Sequence, residues 1–126
     1  MKVSTIIKED KLFQQGILAF NDRCYYDAHE YWEELWLDYK LKDATFIQGL
    51  IQLAVSYFHL YNNNLNGARS MIGKSLGKFE GIEMARGMDI SELKEKIKKT
   101  QIHFNDISYI SDIKDRYILK LKVIHE

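Results

Sequence analysis

Apolar residues recur at every third or fourth position along most of this 126-residue chain, and no proline interrupts them. That spacing is the period of an α-helix buried on one face, and clusters of strand-bounding turn residues are rare. An all-α fold follows. A chain of this size buries roughly two thirds of its unfolded surface, so a core can form without disulfide or metal staples. The expected architecture is one domain over residues 1–126, an antiparallel bundle of about five helices with no internal repeat.

The first helix is expected over Glu9–Asn21, with Leu12, Phe13, Gly16, Ile17 and Phe20 inward. The second runs from Tyr25 to Lys40. On it Tyr25, His29, Trp32, Trp36 and Tyr39 fall within about 80° of one another, with Glu33 at the margin and Glu30, Glu34 and Asp38 turned away. The third follows Asp43, read as its N-cap, and reaches Tyr61. More than half of its circumference is apolar, which marks a central helix. Its remaining stripe is polar: Gln48, Gln52 and His59 lie within about 40°. Asn62, Asn63 and Asn64 break the chain, and Asn64 caps a fourth helix ending near Phe79. Gly67, Gly73 and Gly77 each cost that helix roughly 1 kcal/mol against alanine, which implies close packing or a weak helix. Gly81–Gly87 reads as a loop, and Asp89 with Glu92 opens a fifth helix ending near Phe104. Residues 106–126 stay open between a short strand, suggested by Leu119-Lys120-Leu121-Lys122-Val123, a last helix, and an arm that docks on a partner.

Eighteen basic and eighteen acidic residues cancel, so no global field steers the chain toward nucleic acid or a membrane. Residues 1–66 carry six Lys/Arg against nine Asp/Glu, and residues 67–126 carry twelve against nine. Complementary halves on a neutral chain hint at a homo-oligomer. The fifth helix spreads Lys94, Lys96, Lys98 and Lys99 round its surface without aromatics between them, the pattern of a solvated surface rather than of a base-stacking groove. The single cysteine, Cys24, excludes an internal disulfide and suits a reducing cytoplasm. It reads as a small, partly buried residue at a helix start rather than a nucleophile. Met1 to Phe13 lack an apolar run of signal-peptide length, and the most apolar stretch, Leu50–Leu60, is too short and too polar to cross a bilayer.

Chemistry concentrates in Tyr25-Tyr26-Asp27-Ala28-His29-Glu30-Tyr31-Trp32-Glu33-Glu34-Leu35-Trp36. His29 and Glu33 stand one helical turn apart, so their side chains can meet. Such a pair can shuttle a proton or begin a metal site. A metal needs a third ligand, for which His59 is the candidate, and neither His-Glu-x-x-His nor Glu-x-x-His occurs. The plainer reading is a buried network that holds helix register. Against it stands the polar stripe of the third helix: if it faces the second helix, His29, Glu33, Gln48, Gln52 and His59 converge, more polar groups than register requires. The expected site therefore has His29 as general base and Glu33 as its orienting carboxylate, with Gln48, Gln52, His59, Tyr25, Trp32, Trp36 and Glu30 around a small polar ligand. No cofactor is implied. Whether the chain is an enzyme or a non-enzymatic interaction module stays open; Tyr31, off the stripe, suits an oligomer contact.

Phe20-Asn21, the segment Tyr25–Trp36, then Phe46-Ile47-Gln48-Gly49-Leu50-Ile51-Gln52-Leu53-Ala54, His59, and Asn64-x-x-Gly67-Ala68 occur in that order. Over about residues 10–80 the chain resembles the family known as domain of unknown function 309. The resemblance implies a helical bundle with His29, Glu30, Glu33, Gln48 and Gln52 as signature positions, and no activity. Asp27 replaces the family's usual glutamate. Arg23 and Asn63 stand where glycine is common, in turns where Asn tolerates a positive φ and Arg does so less readily.

Overall fold

A computed structural model describes residues 3–124. Five helices account for most of them: α1 (Val3–Asn21), α2 (Tyr25–Asp38), α3 (Ala44–Tyr61), α4 (Leu65–Lys78) and α5 (Ile90–Asp106). Each packs antiparallel to the next. Phe20 meets Tyr25 edge-on at 5.2 Å, and the Trp32 indole N–H donates to the Phe13 carbonyl at 3.2 Å. Tyr25 stacks on Tyr57 and Tyr61 of α3. The Ser75 hydroxyl of α4 donates to the Gly49 carbonyl of α3, and Arg69 of α4 donates to the Phe104 carbonyl of α5. One apolar core, centred on α3, joins all five helices.

α1 begins six residues earlier than its apolar stripe implies, because Val3–Lys11 form helix without burying a side chain. α2 stops at Asp38, with Tyr39 already extended. Asn64 accepts from the Gly67 N–H and Asp89 from the Glu92 N–H, as the capping signals imply. Asp43 does not cap α3. Its carboxylate is taken by a two-point pair with Arg86 at 2.7 and 3.1 Å, a stronger partner than a backbone amide. That arginine sits in a miniature hairpin, β1 (Met84–Ala85) against β2 (Met88–Asp89), inside the stretch read as loop. Its two turn residues, Arg86 and Gly87, both have positive φ, the requirement of a tight hairpin turn.

The C-terminal segment is an arm docked on its own core. After single 3₁₀ turns at Ile110–Asp112 and Asp115–Tyr117 it runs extended. Leu119 and Leu121 are buried, while Lys120 and Lys122 are exposed. It forms no strand, because side chains take the place of a partner strand. The Tyr57 hydroxyl donates to the Tyr117 carbonyl at 2.5 Å and accepts from the Leu119 N–H at 3.2 Å. The Asn21 amide pairs with both backbone groups of Leu121. Residues 125 and 126 of that segment lie outside the described residues.

Candidate functional site

α2 shows how its sequence is read by its neighbours. The face it buries is Tyr25, Ala28, Trp32 and Leu35, none more than 4% exposed. That face shares Tyr25 and Trp32 with the expected stripe but is rotated from it by about 40°. The aliphatic and small side chains, Ala28 and Leu35, go inward. Trp36, which has a polar edge to present to water, is 38% exposed. Rotation leaves Tyr26, His29, Glu33 and Trp36 along the edge of α2 that borders α3.

His29 is half-buried there, its side chain 23% exposed. Its Nε2 lies 2.5 Å from Glu33 Oε2, the predicted one-turn pair, and its Nδ1 lies 3.5 Å from Glu30 Oε1. A carboxylate therefore stands near each ring nitrogen, the closer one at Nε2. Against the imidazole opens a pocket of about 160 Å³ lined by Tyr26, His29, Val55, Phe58 and His59. The Tyr26 ring spans it, 5.8 Å from His29 and 5.7 Å from Phe58. At its far side Asn64 Nδ2 lies 3.4 Å from His59 Nδ1; an amide N–H donating there leaves the ring proton of His59 on Nε2.

Of the expected constellation, His29 and His59 share this pocket. Glu33, Gln48 and Gln52 do not line it. The antiparallel register that sets Tyr26 beside Phe58 and His29 beside Val55 carries Glu33 to the level of Gln52, and Trp36 to that of Gln48, one and two turns further along the two helices. Both glutamines are half-buried, and Gln52 Oε1 is buried with no hydrogen-bond partner. Three residues differ from their expected places. Trp32 is fully buried and belongs to the core, where its indole N–H is occupied. Tyr25 is stacked 5.1 Å from Tyr57 and 5.8 Å from Tyr61. Burial raises its hydroxyl well above the usual tyrosine range, Tyr61 adding to the shift and Arg23 opposing it. Glu30 is exposed and reaches the site only through His29. Cys24, expected to be partly buried, is exposed, and Tyr31 packs against the core.

Tyr26, Val55 and Phe58 were not expected at the site. Their signal was spacing: Tyr26 lies three residues before His29, and Val55 four before His59, so each shares a face with its histidine. Among the described residues no group of three or more His, Cys, Asp and Glu side chains is placed to hold a metal ion. No described helix is long and apolar enough to cross a membrane.

No curated protein and no solved structure matches the chain. A family model does match, described as "Domain of unknown function (DUF309)", over residues 13–71. The matched span covers the second half of α1, all of α2 and α3, and the first half of α4, so His29, Glu30, Glu33, Gln48 and Gln52 all fall inside it. Over that segment, a little under half of the chain, it is similar to DUF309, a family whose own description assigns no function.

Proposed function

We propose that the groove between α2 and α3 binds a small polar molecule and that His29 exchanges a proton with it. The observation that carries this reading is Gln52 Oε1, a buried acceptor without a donor about one turn along α3 from Val55, which lines the pocket at His29. Leaving such an atom unpaired costs about 1–3 kcal/mol, a cost that a ligand N–H or O–H relieves. Glu33 on Nε2 holds the ring in place, and Nδ1, with Glu30 at the longer distance, is the nitrogen that turns to the ligand. Tyr26 and Phe58 supply apolar walls for the rest of the molecule. The reading is of a cytoplasmic protein, since a lone exposed thiol such as Cys24 persists most readily in a reducing compartment.

Two variants and a thermal-shift screen against amino acids, amides and nucleosides test it. Gln52→Leu removes the orphan acceptor at similar volume, so ligand-free stability should hold or rise by up to about 1 kcal/mol while any hit is lost. His29→Ala should cost about 1 kcal/mol, because Glu33, its partner, is 43% exposed and turns to water when the ring is gone, and should also abolish the hits. A loss of several kcal/mol in either variant would show instead a network needed for helix register.

A second reading is an interaction module that associates with another copy of itself. Val3, Ile6 and Ile7 of α1 and Leu37 at the end of α2 are each at least half exposed, more aliphatic surface than two helix ends need in water. Sedimentation of the wild type against Ile7→Lys separates the two readings: a dimer that the lysine dissociates, with no small-molecule hit, favours the module.

A further inference from the structure

The chain carries no net charge, yet one cleft concentrates its basic residues. Between α5 and the docked C-terminal arm lies a cavity of about 540 Å³. Lys96 and Lys99 enter it from α5; Arg116 and Lys120 enter from the arm. Asp115 is the one carboxylate in its lining, which leaves an excess of three positive charges. Sequence position alone could not show this, because the arm lies about 20 residues beyond the lysines it joins. None of the four is held in a buried ion pair, although the Lys120 ammonium also donates to the Asn21 carbonyl at the end of α1. Lys96 pairs with Glu92 at 2.8 Å, but both side chains are half exposed, and such a pair is easily exchanged. Among the described residues Lys99 and Arg116 are in no ion pair. The Arg116 guanidinium is held over the Tyr117 ring, 4.9 Å from its centre, and that ring is held in turn by His103 stacked on it at 4.3 Å.

We infer that this cleft binds a small, multiply charged anion of the oligophosphate class. Like charges gathered from two elements repel one another unless a counter-charge bridges them, and a compact polyanion is the ligand that reaches cations on both walls at once, Lys99 from α5 and Arg116 from the arm first among them. The volume lies within the range of small-ligand sites. A nucleic acid fits less well. Lys94 and Lys98 point outside the cleft, so α5 offers no continuous basic track. The ring of Tyr117 is occupied by His103 and Arg116 and offers no base a stacking platform. The site is separate from the α2–α3 groove and independent of the function proposed for it.

Calorimetric titration with sodium tripolyphosphate in low salt is the test. Saturable binding is expected, one anion per chain, weakening at least about tenfold when salt screens the cleft. Lys99→Gln and Arg116→Gln should each weaken it about tenfold, and Lys74→Gln, an exposed cation on α4, should leave it unchanged. Because the arm is one wall of the cleft, the anion should also slow amide exchange at Leu119 and Leu121. Absence of binding in low salt would overturn the assignment. So would equal losses in all three variants, the mark of a diffuse field, or a single-stranded RNA oligomer that binds these residues more tightly than tripolyphosphate. Lys99 is an exposed helix residue, so its variant keeps the test decisive even if Arg116→Gln loosens the arm.

Discussion

A hydrogen atom in place of a methyl group decides how α1 and α2 meet. At Gly16 a Cβ would overlap the Trp32 indole, which lies flat against the backbone and donates to the Phe13 carbonyl. Gly16→Ala should therefore cost about 2–3 kcal/mol, since the indole cannot move without losing its hydrogen bond. Urea denaturation measures this, and a cost below half that would show that the two helices have room to part. His29 and Gln52 illustrate the limit of reading single residues. Their residue types and spacing marked them as unusual. Whether the imidazole met water, hydrocarbon or the amides of α3 depended on a rotation of α2 by about 40°, which the aromatic-rich stripe of that helix left undetermined.

The elements themselves were largely legible. Caps at Asn64 and Asp89 act where their side chains imply, because those bonds are local and no stronger partner competes. Asp43 failed as a cap for the opposite reason, since Arg86 reached it from 43 residues away. The turns that join the helices carry their own signal. Arg23 and Asn63, the two departures from glycine, are indeed at positive φ, 63° and 59°. An arginine there carries a steric penalty that glycine does not. Arg23→Gly should consequently stabilise the protein by about 0.5–1 kcal/mol after the greater freedom of the unfolded glycine is subtracted. Gly77 is the mirror case. It lies within α4, and a Cβ there would meet nothing within 4 Å, so Gly77→Ala should stabilise by a similar amount. Thermal melts of both variants check the pair; a fall in melting temperature for either would mean that its backbone has another role. Close packing explains Gly67, whose Cβ would press on Asn64 and His59, but not Gly77.

On the scale of the whole molecule, the arm ties the end of α1 to α3 and α5 and makes the protein's stability depend on pH. His103 of α5 accepts the Lys114 N–H on Nε2 at 3.1 Å, so it holds the arm as a neutral ring. Burial lowers its pKa below the usual histidine value of about 6.5, with Lys114 and Arg116 lowering it further and Asp106 and Asp112 opposing them. The unfolded chain then takes up a proton near pH 6.5 that the folded chain refuses. Stability from this group is complete above that pH, and it falls as the pH drops below it, until the folded ring also protonates. The slope should not exceed about 1.4 kcal/mol per pH unit. Urea midpoints between pH 7.5 and 5 give the slope, and amide exchange should show Lys114 and Leu119 opening first. A flat profile in that interval, or opening elsewhere in the molecule, would show that His103 does not hold the arm.

What the sequence by itself determined is whatever depends on neighbours within a turn or two: five helices, the caps at Asn64 and Asp89, the breaks between helices, the one-turn His29–Glu33 pair, and the likeness to DUF309 over residues 13–71. Local periodicity and side-chain capping settle these before the chain is compact. Only the tertiary structure decided which edge of α2 faces α3, that Arg86 claims Asp43, and that residues 118–124 lie as an arm rather than as a strand or a helix. Those outcomes turn on which groups far apart in sequence satisfy one another's hydrogen bonds and charges. Alternating Leu and Lys specify an extended chain with a wet and a dry side, but whether a strand, a tyrosine or an asparagine completes it is fixed by what the folded core places alongside.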